Sequence, residues 1–230
     1  SIGIAKAITS GPINNNDGTY TLTYTMLVEN TGDVLLDNVQ VVENLNTTFT
    51  GATSYTVNNI SSADFSVNNN FNGNTDTNLL SGTDNLVYQG SGSITLIVTV
   101  TPGSNLGAYN NTAVANGTSP ANQSVTDDSQ NGTDVDPDNN DDPTDNDVPT
   151  SITFTENPSI GIAKAITSGP INNNDGTYTL TYTMLVENTG DVLLDNVQVV
   201  ENLNTTFTGA ISYTVNSISS TDFTVNNNFN

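Results

Sequence analysis

The chain has 230 residues, of which 24 are acidic and only Lys6 and Lys164 are basic, so its formal net charge is −22. Without clustered Lys or Arg it has no phosphate-binding surface, which excludes nucleic acid and anionic lipid headgroups as partners and makes divalent cations the natural counterions. Cysteine, histidine and arginine are absent, which removes disulfides, thiolate metal sites and the commonest nucleophile–base pairs together.

Apolar residues alternate with period two along most of the chain, and no long helical stripe is present. Ile2, Ile4 and Ile8 fall in phase and predict a first strand. Gly11-Pro12 and Asn16-Asp17-Gly18 predict turns. Tyr20, Leu22, Tyr24, Met26 and Val28 then share one face while Thr21, Thr23 and Thr25 share the other, the pattern of a half-buried strand. A turn is expected at 30–33 and a strand at 39–43. Weaker strands are expected near 54–57 and 65–67, followed by a long polar loop over 68–84. Strands at 86–88, 93–101, 109–115 and 151–155 complete the set. Eight or nine short strands between Gly, Asn and Pro turns predict an all-β fold, an antiparallel β-sandwich of immunoglobulin-like type. A hydrophobic content of 34% suits a thin two-sheet core. No apolar run approaches the length of a membrane span, so no membrane insertion is expected in this segment. No basic stretch followed by an apolar run is present, so any export signal is expected elsewhere in the parent chain.

The first 72 residues recur. Ser1 aligns with Ser159, an offset of 158, and the match runs to Asn230 with four differences: Thr53/Ile211, Asn59/Ser217, Ala63/Thr221 and Ser66/Thr224. Such a period is far longer than a solenoid repeat, so each copy should be a domain with its own core. The organisation read from this is a full repeat unit at 1–158 and the first part of a near-identical second repeat at 159–230. Within the first unit, the sandwich is expected over about 1–119, an Asp-rich segment over 120–150, and a short strand and linker over 151–158.

The Asp-rich segment holds Asp127, Asp128, Asp134, Asp136, Asp138, Asp141, Asp142, Asp145 and Asp147. Carboxylates interleaved with Asn amides are the oxygen donors Ca²⁺ prefers, and Pro137, Pro143 and Pro149 lower the entropy lost on ordering. The spacing is not that of an EF-hand, since neither the sixth-position Gly nor the twelfth-position Glu is present after Asp134. Two readings compete: a Ca²⁺-bound joint between repeats, with affinity of roughly 10⁻⁴ to 10⁻³ M, and a solvated acidic linker. Several Asn-x-Ser/Thr sequons, among them Asn46, Asn110 and Asn131, arise readily in a chain so rich in Asn and Thr.

Lys6 lies in phase with Ile2, Ile4 and Ile8, which points the one cation of the unit toward the core. An inward lysine must be paired, neutralised or chemically consumed. One reading is an isopeptide bond to Asn111 of a late strand, assisted by Glu43, which is in phase with Val39 and Val41. The other is a lysine that snorkels outward to a surface carboxylate.

The order of segments carries a resemblance. An opening strand with a lone lysine (IGIAKAI) precedes YTLTYTMLVENTG, NVQVVENL, GSITLIVTVTP, NNTAVANG and an Asp/Asn/Pro-rich tail. This order resembles the DUF11-type repeat domain, an immunoglobulin-like module of large bacterial and archaeal surface proteins, and the tail resembles repeats of Bacteroidetes adhesins. Glu43 departs from it, standing where an aspartate is more usual. The resemblance implies a structural repeat of an extracellular stalk or adhesin at the bacterial cell surface, not an enzyme. Its partners would be neighbouring repeats and other copies in a filament. Two alternatives are a repeat that itself binds a surface polysaccharide, through the Thr21/Thr23/Thr25 row and the 68–84 loop, and polymerisation by strand exchange.

Overall fold

The computed structural model describes all 230 residues. The first strand, β1 (Gly3–Asn14), forms an antiparallel hairpin with β2 (Tyr20–Glu29). Gly11-Pro12 does not end β1 as the sequence suggested. The register instead slips between Ile8 and Ser10 and again between Ser10 and Ile13, and the strand continues as a bulged edge. Gly11 carries the bend at φ +95°, where a Cβ would stand 2.4 Å from the Thr21 carbonyl oxygen. Bulges of this kind tolerate Pro because its missing N–H is not owed to the ladder.

Next come β3 (Leu36–Glu43), a single helical turn α1 (Leu45–Thr48) capped by the Asn44 side chain, and β4 (Ser54–Ser61). The expected strand at 65–67 does not form: Val67 makes only an isolated bridge to Leu80, while Phe65 turns into the core. The 68–84 loop is less polar than its composition suggests, since Phe71, Leu79 and Leu80 are all buried. Then follow β5 (Asp84–Leu86), β6 (Ser91–Thr101), β7 (Gly107–Asn111) and β8 (Ala113–Thr118). A single strand was expected over 109–115. The chain breaks at Thr112 instead, because β7 pairs with one partner and β8 with another.

Two sheets result. One has the order β4, β6, β2, β1 and a short outer strand, β10 (Gln130–Asn131), which runs parallel to β1. The other has the order β5, β3, β8 and β9 (Ser124–Asp128). Ile4, Leu22, Met26, Leu96 and Val98 from the first, with Ile2 just ahead of β1, face Leu36, Val39, Val41 and Ala115 from the second, all buried. A separate ladder joins β7 to β11 (Thr150–Thr153). Phe154 follows β11 into the core, with its ring 4.9 Å from that of Tyr20 and 5.8 Å from that of Tyr109.

The sandwich therefore does not stop near residue 119. β9, β10, β11 and Phe154 belong to it, and the acidic segment between them is packed on its surface. Gly3 is the close approach that allows this: a Cβ there would lie 2.9 Å from Val135 and 3.0 Å from Pro143. Val135 and Pro143, two apolar residues within the acidic run, are both buried.

The second copy opens with the hairpin β12 (Ile160–Asn172) and β13 (Tyr178–Asn188), whose register reproduces every pair of β1 and β2 and adds Ile160–Asn188. Its apolar face is open. Ile160 and Ile162 are 53% and 60% exposed, whereas the equivalent Ile2 and Ile4 are at 0%. The reason is topological, since β2 is flanked along its length by β6 and β13 has no such neighbour. Residues 194–230 form a separate unit. It contains α2 (Leu203–Thr206), capped by Asn202, and a Phe207–Tyr213 ring contact at 5.9 Å. No helix is long and apolar enough to cross a membrane.

Candidate functional sites: a buried Lys–Glu–Asn cluster and an acidic cleft

Period-two alternation places Lys6 on the inner face of β1, directly after Ile4. Glu43 ends β3 on its inner face, and Asn111 ends β7. Lys6, Glu43 and Asn111 are each 0% exposed. The Lys6 Nζ donates to Glu43 Oε2, and it lies 4.7 Å from the centre of the Tyr24 ring. The Asn111 amide stands against both the Glu43 carboxyl and the Tyr24 hydroxyl. Thr48, from the helical turn, donates its hydroxyl to Asn111 Oδ1 at 3.0 Å. The structure thus brings together all three residues singled out in the sequence. It adds Thr48 and Tyr24, which no pattern had pointed to.

Burial dominates the electrostatics. It pulls the Lys6 ammonium below its ordinary pKa, with the Glu43 charge opposing. It likewise pushes the Glu43 carboxyl up, against the pull of Lys6 and of the Asn111 amide. Both shifts favour the neutral amine beside the neutral acid. The Tyr24 hydroxyl is raised too, again mainly by burial. Three atoms of this cluster, Glu43 Oε1, Asn111 Nδ2 and the Tyr24 hydroxyl, are buried without a well-formed hydrogen bond.

The acidic segment divides into two parts. Asp127, on β9, is 3% exposed and accepts from the Ile4 backbone N–H at 2.8 Å through Oδ2, while Oδ1 has no partner. Burial, reinforced by the charges of Asp128 and Asp142 and only partly offset by the Ile4 hydrogen bond, pushes its pKa up to about 7. Asp127, Asp128 and Asp147 line one cleft of about 260 Å³ with Thr126 and Thr144.

The remaining candidates are occupied locally. Asp134 accepts from the Asp136 N–H, and Asp136 accepts from the N–H groups of Asn140 and Asp141. Asp138 and Asp145 both accept from the Asn140 and Asn146 amides. Asp142 caps the 3₁₀ turn at Pro143 by accepting from Thr144. Asp141 adopts φ +67° within this run of turns. No group of three or more carboxylates converges on a single point.

The position of the segment differs from expectation. Val135 and Pro143 lie against Gly3, and Asp134 lies close enough to Glu29 to raise its pKa, burial being the larger cause. Gly3 and Glu29 pair at one end of the β1–β2 ladder. The chain leaves the sandwich at the other end, where the Tyr20 hydroxyl donates to the Thr155 carbonyl at 2.6 Å. These two ends of β2 are about 30 Å apart at ~3.3 Å per residue. The acidic run is thus not the stretch that joins the two copies. Residues 155–158 are, and Asn157 donates its backbone and side-chain N–H groups to Asp191 of the second copy, each at 2.8 Å.

No protein-family model matches the chain, and the search of curated proteins gives no match. Among solved structures it is similar to the major pilin SpaD from Corynebacterium diphtheriae, at 12% identity and a TM-score of 0.37, over 83% of this chain and 49% of the pilin. It is also similar to BcpA, the major pilin subunit of Bacillus cereus, at 10% identity and a TM-score of 0.40, over 84% of this chain and 55% of the pilin. A family 123 glycoside hydrolase from Clostridium perfringens gives a TM-score of 0.19 at 12% identity, over 56% of this chain and 27% of the hydrolase. The chain spans about half the length of the two pilins. At these identities the likeness does not reach individual residues or chemistry.

Proposed function

We propose that the chain is a stretch of a tandem array of β-sandwich spacers in an extracellular stalk, adhesin or filament of a bacterial cell surface. The observation that carries this reading is the near-identical recurrence of the unit at an offset of 158. The first sandwich hands the chain to the second copy through a short segment held at both ends: Thr155 to Tyr20, and Asn157 to Asp191. A repeat so joined transmits length and load, and needs no cavity. The DUF11-type order of segments supports the same reading.

Ca²⁺ is the ligand we assign to the acidic segment, drawn to the cleft that Asp127, Asp128 and Asp147 line with Thr126 and Thr144 rather than to a preformed cluster of carboxylates. The orphaned, buried Oδ1 of Asp127 supports this, together with the hard oxygen chemistry of its neighbours. In an array, the acidic segment of each unit sits at the end that meets the unit before it. Ion binding there stiffens the joint upstream of the segment rather than the one downstream. Small-angle scattering of a chain with two complete units tests this. Calcium should lengthen and straighten the pair relative to EDTA, and identical curves refute the stiffening. A glycan array on the same chain should show no binding; reproducible binding to one glycan class would make the repeat a lectin instead.

A further inference from the structure

We propose that Lys6 and Asn111 are joined by an intramolecular isopeptide bond that forms spontaneously once the sandwich closes around Glu43. The cluster is poorly explained as an ion pair. A buried Lys–Glu pair recovers its desolvation cost only when its remaining hydrogen-bonding groups are satisfied. Here they are not: of the five buried polar atoms in the chain without a well-formed hydrogen bond, three belong to Glu43, Asn111 and Tyr24, which crowd against one another. Such concentration calls for a cause.

Amide formation supplies one. The neutral Lys6 Nζ attacks Asn111 Cγ, forming the new C–N bond and a tetrahedral intermediate. Glu43 accepts the proton leaving Nζ and delivers a proton to the Asn111 nitrogen, which departs as ammonia. One C–N bond forms and one breaks, and no oxidant or reductant is needed. Burial already favours the required states, an uncharged amine and a protonated acid. Thr48 is the positioning residue: its hydroxyl donates to Asn111 Oδ1, the oxygen on which negative charge develops. The product replaces the buried Lys6 amine and the Asn111 amide NH₂ with a single neutral N–H that faces Glu43.

The bond would tie β1 of one sheet to β7, roughly a hundred residues later, so that the first and a late strand cannot be drawn apart. This claim is chemical and stands independently of the spacer reading.

The test is the intact mass of the purified, denatured 230-residue protein. The expected result is a mass about 17 Da (one ammonia) below that of the sequence. Lys6 is also the one tryptic site in the first 163 residues. An acylated Lys6 should resist trypsin after denaturation, and digestion with a Glu- or Asp-directed protease should yield a branched peptide joining Lys6 to Asn111. Lys6→Ala, Asn111→Ala and Glu43→Gln should each restore the full mass. Thr48→Val should slow the mass loss in a time course after refolding. A full-length mass in the unsubstituted protein, with cleavage at Lys6, would overturn the proposal. So would a 17 Da loss that maps to a succinimide at Asn72-Gly73, Asn116-Gly117 or Asn131-Gly132.

Discussion

Pulling on the unit from its two ends gives a prediction whose size follows from the positions of Lys6 and Asn111. A bond between them encloses about 105 residues, or about 350 Å of chain at ~3.4 Å per residue when fully extended. In the unsubstituted protein that length is withheld from the applied force, and only the residues outside the bond can extend. In Asn111→Ala the whole unit unravels, so the contour length gained on unfolding it should rise by about 350 Å. Optical-tweezer or atomic-force traces measure this directly. The same bond restrains the unfolded chain, and loop closure over about 100 residues is worth about 4–5 kcal/mol. For a domain of this size, that corresponds to a fall of roughly 10–20 °C in Tm for the variant. Equal contour-length gains in the two proteins would refute the reasoning, whatever their melting points.

Three further outcomes follow from the fold and the acidic cleft. Phe154→Ala should cost about 3–5 kcal/mol, the usual loss for a buried phenylalanine, because its ring packs on Tyr20 and Tyr109. Urea unfolding would show it, and a cost below 1 kcal/mol would mean that the tail does not close the sandwich. Asp127 has its folded pKa raised to about 7 from an ordinary 3.8, so the native state holds this proton more tightly than the unfolded chain. Its contribution is fully present below about pH 4 and is lost as pH rises toward and through 7. In EDTA, Asp127→Asn should therefore be stabilised relative to the parent by about 2–4 kcal/mol at pH 8 and hardly at all at pH 4. A constant difference between the two proteins across that range would contradict the burial argument. Calcium should raise the melting temperature at millimolar concentrations, more strongly above pH 7 where Asp127 is ionised. Isothermal titration showing no heat, with a Tm indifferent to EDTA, would remove the ion from the account.

What could be read from the sequence was whatever obeys a two-residue period. β2 and β6 alternate without interruption, and the structure pairs them residue for residue from Tyr20–Val100 to Glu29–Ser91. The same rule turned Lys6 and Glu43 inward. Asn111 was legible only as an amide late in the chain. Where the period failed, so did the reading. β9 carries a single apolar residue, Val125, and is held by its ladder with β8 and by an Asp127 side chain that satisfies the Ile4 N–H. Neither leaves a hydrophobic trace. The bulged end of β1 looks like a turn because Gly-Pro marks both. Thr48 and Tyr24 were invisible as members of a site, since one sits in a helical turn and the other looks like any core tyrosine. The acidic run was read as a joint because it lies between the copies in sequence. Val135 and Pro143 were the overlooked signal: apolar residues in so charged a stretch have somewhere to be buried.

Electron micrographs of the parent array, holding several complete units, test the central claim most directly. Strands of 10 to 12 residues at ~3.3 Å each make a sandwich some 35–40 Å long, so the account predicts a thin beaded rod with one bead every 40–50 Å or so. Calcium should straighten it, and EDTA should leave the beads intact but let the chain bend at each junction. Compact clusters without a regular spacing would contradict the reading of the chain as a spacer.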